Sequence, residues 1–341
     1  YVGEKKMNEI LISIELGLVH EGSLGIALSL IDAACDAGAN AIKMQMHIAE
    51  EESTYYEPWR KKISSQDIYR YDYWKRTEFT FEQWKEIAEY IKSKNMKFIC
   101  SPFSVKAVKN LEELNVDYYK IASGQVNDIP LLEAIRLTKK PVIISTGMSC
   151  IDETKIIYNK LKQNNNEIII MQCTSMYPCT PDNWGLNMIQ EYKNIFPNVK
   201  IGFSDHSGQI AASIAAVALG SEAIEVHITF NKKMYGYDTE ASITVDELPT
   251  LIESLKNVKI ALDNPLNKRK IDQNQEKMRK IFTKVFVANT DMKENHIIKE
   301  SDIALKKAGE GINYENITLL IGKKLNRNIN KNEPIKLEDL K

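Results

Sequence analysis

The chain alternates, eight times over, a short apolar run of strand length with a longer stretch of helix length. The runs are Ile10 to Glu15, Ala41 to Met46, Lys97 to Ser101, Tyr118 to Ala122, Pro141 to Ser145, Glu167 to Cys173, Val199 to Ser204 and Glu222 to His227. Between them, segments such as Leu24 to Ala37, Phe81 to Asn95, Val105 to Leu114, Pro130 to Thr138 and Ile210 to Leu219 carry apolar residues at helical spacing. Strands that are apolar nearly throughout are covered on both faces, and parallel strands need a crossover, usually a helix. Eight such β-α units over roughly 250 residues predict an α/β chain folded as a TIM (β/α)8 barrel. A doubly wound sheet is the rival, but no glycine-rich phosphate loop follows the first run.

Two stretches break the rhythm. Ala49 to Phe79 is too long for a β-α connection and holds Tyr55, Tyr56, Trp59, Tyr69, Tyr71, Tyr73 and Trp74, so it reads as a lid or as an elaborated packing loop. Asn264 to Lys280 is polar and charged. It sets the expected organisation: a barrel over 1–263, a linker over 264–281 and a small β-rich module over 282–341.

Composition narrows the function. Lysine and arginine total 45 against 46 acidic residues, a formal net charge of -1, which argues against a nucleic-acid or membrane-surface partner. Five cysteines without a CxxC pair suggest a reducing, cytoplasmic compartment. No apolar run approaches the ~18 residues of a membrane span, and Tyr1 to Glu9 lacks a signal-peptide core.

Barrel active sites form at the C-terminal ends of the strands. Those ends carry Glu15; Lys43 and Gln45; Ser101; Lys120 and Ser123; Ser145; Ser175 and Tyr177; Ser204, Asp205 and His206; and His227. Lysines and hydroxyls around one mouth suit a small, densely anionic substrate. Two histidines on neighbouring strands can hold one divalent ion, which would polarise a carbonyl, although each is equally well a packed residue. Glu15 is placed to handle a proton. Ser204 with Asp205 and His206 does not form a nucleophile elbow.

Several ordered segments resemble the sialic acid synthase family. Glu15-Leu-Gly-Leu-Val-His20, Lys43-Met-Gln45, Ser101-Pro-Phe103, Lys120-Ile-Ala-Ser-Gly124, Ser145-Thr-Gly-Met148, Cys173-Thr-Ser-Met-Tyr-Pro178, Gly202-Phe-Ser-Asp-His206, Glu225-Val-His227 and Gly236-Tyr-Asp238 carry the likeness through the barrel. Val285 to Lys324 is similar to the antifreeze-like (SAF) domain that follows such barrels.

The resemblance implies condensation of phosphoenolpyruvate with an N-acetylmannosamine-like acetamido sugar, with release of phosphate. It implies that Lys43, Lys120, Ser123, Ser145 and Ser204 hold phosphoenolpyruvate, with Ser101 and Ser175 also on the substrate wall. It assigns His206 and His227 to Mn2+ (Mg2+ or Co2+ in its place), and Glu15 to the aldehyde. Gln45, Gln125, Tyr177, Asp238 and Lys307 would contact the sugar, Lys307 from the partner of a domain-swapped homodimer.

Val19, Gln125, Val226 and Lys307 depart from the family pattern, Gln125 and Lys307 at positions that the resemblance assigns to the sugar. The expected acceptor is therefore a diacetamido hexose of the legionaminic or pseudaminic type rather than plain N-acetylmannosamine. A Schiff-base aldolase using Lys43 or Lys120, and a non-catalytic glycan-binding relative, are the competing readings.

Overall fold

The computed structural model describes residues 9–62, 66–164 and 166–341. The polar N-terminal stretch before Glu9, and Ile63 to Ser65 of the long aromatic segment, lie outside the described residues.

Strands β1 (Leu11–Glu15), β2 (Ala41–Met46), β3 (Lys97–Pro102), β4 (Tyr118–Ile121), β5 (Val142–Ser145), β6 (Ile168–Cys173), β7 (Lys200–Asp205) and β8 (Ala223–Thr229) pair in sequence order, all parallel. Pairing of β1 with β8 closes the barrel, with Glu15 opposite His227 on one side and opposite Lys43 on the other. A two-residue strand β9 (Ile243–Thr244), which the sequence does not announce, extends β8 outside the ring.

The helices are α1 (Leu24–Asp36), α2 (Ala49–Glu52), α3 (Arg70–Thr77), α4 (Phe81–Ser93), α5 (Val105–Glu113), α6 (Ile129–Thr138), α7 (Ile151–Lys162), α8 (Asn187–Ile195), α9 (Ile210–Ala218), α10 (Leu248–Asp263) and α11 (Gln273–Phe282). The starts follow local chemistry: the side chains of Ser23, Thr80, Ser104 and Asp128 each accept a backbone N–H of the first turn of α1, α4, α5 and α6.

Alternation along the strands divides the side chains. One face packs outward against the helices, as Ile14, Ile42, Phe98, Ile144, Ile170 and Ile224 do. The other points into the barrel, where Ala41, Ile99, Ile143, Ile169, Met171 and Ala223 fill the lower part. Continuing the same alternation towards the C-terminal ends of β1, β2, β5 and β8 gives Glu15, Lys43, Ser145, Glu225 and His227, so a polar layer sits on an apolar plug.

The aromatic segment packs over the mouth: Tyr73 and Trp74 of α3 cluster with Leu18 and Ala49, and with the half-buried Trp59, Tyr71 and Tyr237.

The chain divides after Asn264. The second unit has its own core, including Phe286, Met292, Ile298, Leu320, Leu325 and Ile335. Its regular sheet is one antiparallel pair, β10 (Val285–Ala288) with β11 (Ile303–Lys306), supplemented by isolated bridges such as Met292 with Ile329. Helix α11 lies in this unit and takes up the second half of the segment that the sequence reads as linker, ending one residue beyond it.

Candidate active site

A cavity of about 430 Å3 opens at the C-terminal end of the barrel. Its floor is a buried set of two lysines and two carboxylates. Lys120 Nζ lies 2.7 Å from both carboxylate oxygens of Glu225, and Ser204 Oγ donates to Glu225 Oε1 at 2.9 Å. Burial alone would push the Glu225 carboxyl up, but Lys120 and Lys43 outweigh it and hold the group well below the usual carboxylate range. Glu15 Oε2 lies against Lys43 Nζ, while Glu15 Oε1 accepts from the Gly17 N–H at 2.6 Å and from Gln45 Nε2 at 3.2 Å. Burial opposes the charge on Lys43, yet Glu15 and Glu225 raise its pKa above the ordinary lysine value. Lys43 is therefore an ammonium ion rather than a free nucleophile.

The wall beside this floor is hydroxyl-rich. Ser123 Oγ accepts the Gly147 N–H at 3.1 Å and touches Cys173 Sγ at 3.3 Å. A Cβ on Gly147 would fall 2.5 Å from Ser175 Oγ, 2.7 Å from Cys173 Sγ and 2.8 Å from Ser123 Oγ, so glycine lets these three side chains close around this corner. Ser145 and Gln125 also line the cavity.

On the other side stand the two histidines, ring centroids 5.4 Å apart. His206 Nδ1 donates to the Thr174 carbonyl at 2.8 Å, which leaves Nε2 as the lone-pair nitrogen, taking the Tyr177 hydroxyl at 3.1 Å. Burial, then the nearby His227, pushes the His206 pKa down to about 3, so the ring is neutral. His227 Nδ1 is buried without a hydrogen-bond partner among the described residues, 4.0 Å from Asp238 Oδ2.

Two imidazoles on neighbouring strands, that of His206 neutral with its other nitrogen fixed by a carbonyl, are the donor chemistry of a divalent metal site with open positions. No group of three or more His, Cys, Asp or Glu donors converges among the described residues. The remaining coordination positions would fall to substrate and water. Gly17, at φ +50°, permits this closeness, since a Cβ there would lie 2.7 Å from Asp238 Oδ2.

The outer wall comes from the long segment between β2 and α4. Arg60 bonds Asp238 Oδ1 at 3.3 Å, and His47 stacks between Trp74 and Phe103 while bonding Glu52 and Gln45.

Most residues read from strand ends thus meet in one cavity. Glu15 and Ser101 do not line it: Glu15 is fully buried behind Lys43, and Ser101 is fully buried with its Oγ lacking a partner among the described residues. Asp205 turns away to bond the Ser207 N–H at 2.7 Å and Ser213 Oγ at 3.0 Å, a structural role. Lys307 follows β11 in the second unit, its ammonium 5.4 Å from the Phe282 ring centroid. Strand-end reasoning passed over Glu225, Arg60 and His47. Glu225 had a signal, since period-two alternation puts it on the face of His227.

A larger cavity of about 840 Å3 opens elsewhere, beside the N-terminal ends of β1 and β3. Its Lys97, Lys200 and Lys259 are each paired with a carboxylate, and it holds none of the groups just described.

Fold and site together define a (β/α)8 barrel with a charge-paired polar mouth and a separate small C-terminal unit. The NeuB family model matches residues 30–267 and the SAF domain model residues 283–341. The chain belongs to the NeuB family.

It is 34% identical to human N-acetylneuraminate-9-phosphate synthase, over 92% of this chain and 88% of that protein. It is 31% identical to N,N'-diacetyllegionaminic acid synthase of Campylobacter jejuni, over 97% of this chain and all of the relative. Among solved structures, an N-acetylneuraminic acid synthetase of Leptospira borgpetersenii superposes with a TM-score of 0.69 at 31% identity, covering 81% of this chain and 93% of that one. The named relatives are synthases of nonulosonic acids, and no described helix is long and apolar enough to cross a membrane.

Proposed function

We propose that the protein condenses phosphoenolpyruvate with an acetamido hexose, releasing phosphate and forming a nonulosonic acid. The observation that carries this reading is the buried pairing of Glu15 with Lys43 and of Glu225 with Lys120 beneath a hydroxyl-lined wall. Two lysines in a water-poor floor, Lys43 with its pKa raised, offer charge-assisted donors to a phosphate and a carboxylate arriving together. Ser123, Ser145 and Ser204 supply hydroxyl donors beside them.

In the reaction, C3 of phosphoenolpyruvate forms a bond to the sugar aldehyde carbon, whose oxygen becomes a hydroxyl. Water adds at C2, and the C2–O bond to phosphate breaks to leave the keto group. Glu15, bonded to Gln45 and the Gly17 N–H and set against Lys43, would act on the aldehyde through the Lys43 and Gln45 side chains that it orients at the cavity wall. A divalent ion such as Mn2+ on His206 and His227 would supply Lewis acidity at the aldehyde oxygen. It would also offset the charge that the substrate brings to a floor whose two lysines and two carboxylates already cancel. Tyr177 and Asp238 bound the sugar end. A homodimer in which Lys307 meets the partner's sugar completes the proposal.

A Schiff-base aldolase needs a neutral lysine, and the raised pKa of Lys43 works against it. The test is phosphate release from phosphoenolpyruvate against a panel of acetamido hexoses, with Mn2+ and with EDTA. Release that needs both a sugar and the metal is expected; pyruvate trapped on the protein by borohydride would overturn the reading.

A further inference from the structure

Arg60 enters the cavity from the segment between α2 and α3, beyond the reach of any barrel strand. Its guanidinium lies 4.5 Å from the centroid of the Tyr177 ring and 5.2 Å from that of Tyr237. Nη2 donates to the Tyr237 carbonyl at 3.2 Å and to Asp238 Oδ1 at 3.3 Å. The second of these is long for a charge-assisted bond, which usually closes to about 2.7–2.9 Å. Nε and Nη1 have no hydrogen-bond partner among the described residues, and the side chain is 40% exposed where Asp238 is 9%. A planar donor fork thus has one nitrogen in use and the others open.

The charge around it selects what those donors can take. On this outer wall Arg60 faces Asp238 and Arg70 faces Glu57 at 3.0 Å. Among the described residues the two guanidinium groups of the wall are each matched by a carboxylate, and a phosphate brought here would meet Asp238 and Glu57. An uncharged oxygen suits the fork. Beside it stand the Tyr177 and Tyr237 rings, the latter backed by Trp59 stacked at 6.3 Å, an apolar wall for a methyl group. An amide oxygen with a methyl on the same carbon is an acylamino substituent.

The geometry points to Arg60 as the residue that reads the acceptor. It donates its free N–H groups to the oxygen of an acylamino substituent on an uncharged sugar, and it steadies Tyr177 and Asp238. This rests on the functional reading given above.

The experiment measures phosphate release with Mn2+, varying phosphoenolpyruvate and acceptor separately, for the wild type, Arg60→Ala and Arg60→Lys. Acceptors are an acylamino hexose, the matched hexose with hydroxyl in place of the acylamino group, and the 6-phosphate of the first. Arg60→Ala is expected to raise the acceptor KM about 10-fold or more. The phosphoenolpyruvate KM should hold within about twofold, and preference for the acylamino over the hydroxyl sugar should shrink. Arg60→Lys keeps the charge without the fork and should recover only part of the loss. Guanidinium ion added to Arg60→Ala should lower the acceptor KM.

An unchanged acceptor KM in Arg60→Ala, a parallel rise in both KM values, or a wild-type preference for the 6-phosphate overturns the inference while the functional reading stands. A wild type that releases no phosphate with any acceptor removes the functional reading and this inference with it.

Discussion

Lys120 on β4 and Glu225 on β8 stand on opposite sides of the closed barrel, and the ammonium of one lies 2.7 Å from both carboxylate oxygens of the other. Their side chains are 2% and 4% exposed, so neither charge has water as an alternative partner. Removing one member of a buried pair strands the other, at a cost of about 3–5 kcal/mol, whereas replacing both by apolar groups is nearly neutral. Glu225→Gln is therefore expected to lose about 3 kcal/mol of barrel stability by urea unfolding. Lys120→Met combined with Glu225→Leu should regain most of it, and neither variant should release phosphate. Equal instability of the single and double variants would show that the pair is not what the barrel depends on.

Gly147 offers a probe that leaves every charge in place. The Cβ of alanine would crowd Ser123, Cys173 and Ser175 at one corner of the cavity. Shifting those groups by an ångström is enough to displace a reacting ligand, which can cost about 100-fold in rate. Gly147→Ala should lower phosphate release by about that factor, with the thermal midpoint changed by only a few degrees. Wild-type kinetics in this variant would place the substrate elsewhere.

The barrel was legible because each strand is buried on both faces, which makes its apolar run continuous and its end visible. The residues at those ends, from Glu15 to His227, were legible for the same reason. Glu225 escaped because it lies two residues inside its run, where charge reads as a flaw in the strand rather than as a floor. Arg60 had no local signal at all. Its place is set by contacts with Tyr237 and Asp238, 177 and 178 residues further on, and an irregular aromatic segment has no period to announce it. Ser101 misled in the opposite direction, since a hydroxyl at a strand end can be buried behind the cavity wall. In the second unit, pairing through isolated bridges and short 3-10 turns gives little alternation, so the β-rich module and its first strand, in the run Lys284 to Ala288, were readable and the rest of its pairing was not.

The wall that carries Arg60 is fastened by Arg76. Its guanidinium bonds both oxygens of Asp67 at 2.9–3.2 Å and Glu21 Oε2 at 3.1 Å, while the Tyr73 hydroxyl holds Glu21 Oε1 at 2.9 Å. Arg76→Ala would leave two largely buried carboxylates without their cation and loosen α3 from the loop after β1. Faster amide hydrogen exchange across residues 66–79, unchanged protection of the barrel strands and an acceptor KM raised by about 10-fold are expected. Exchange that quickens equally throughout the barrel would mean that the clasp serves the whole fold instead.

His20 gives the protein an acid limit that can be read separately from catalysis. Its Nδ1 accepts the Gly22 N–H at 3.0 Å, and its ring stacks on Phe79 at 4.5 Å. Burial, then the neighbouring His47, pushes its pKa down from 6.5 to about 3. Above pH 6.5 the ring is neutral in both the folded and unfolded chain, so pH has no purchase on stability through it. Between pH 6.5 and 3 the unfolded chain takes up a proton that the folded one refuses, and stability falls as the pH falls. The slope from one such group is about 1.4 kcal/mol per pH unit. His20→Gln should therefore show a shallower fall in unfolding free energy than the wild type between pH 6 and pH 4, by about that slope, whatever its stability at neutral pH. Parallel curves for the two proteins would place the His20 proton on the folded chain as well.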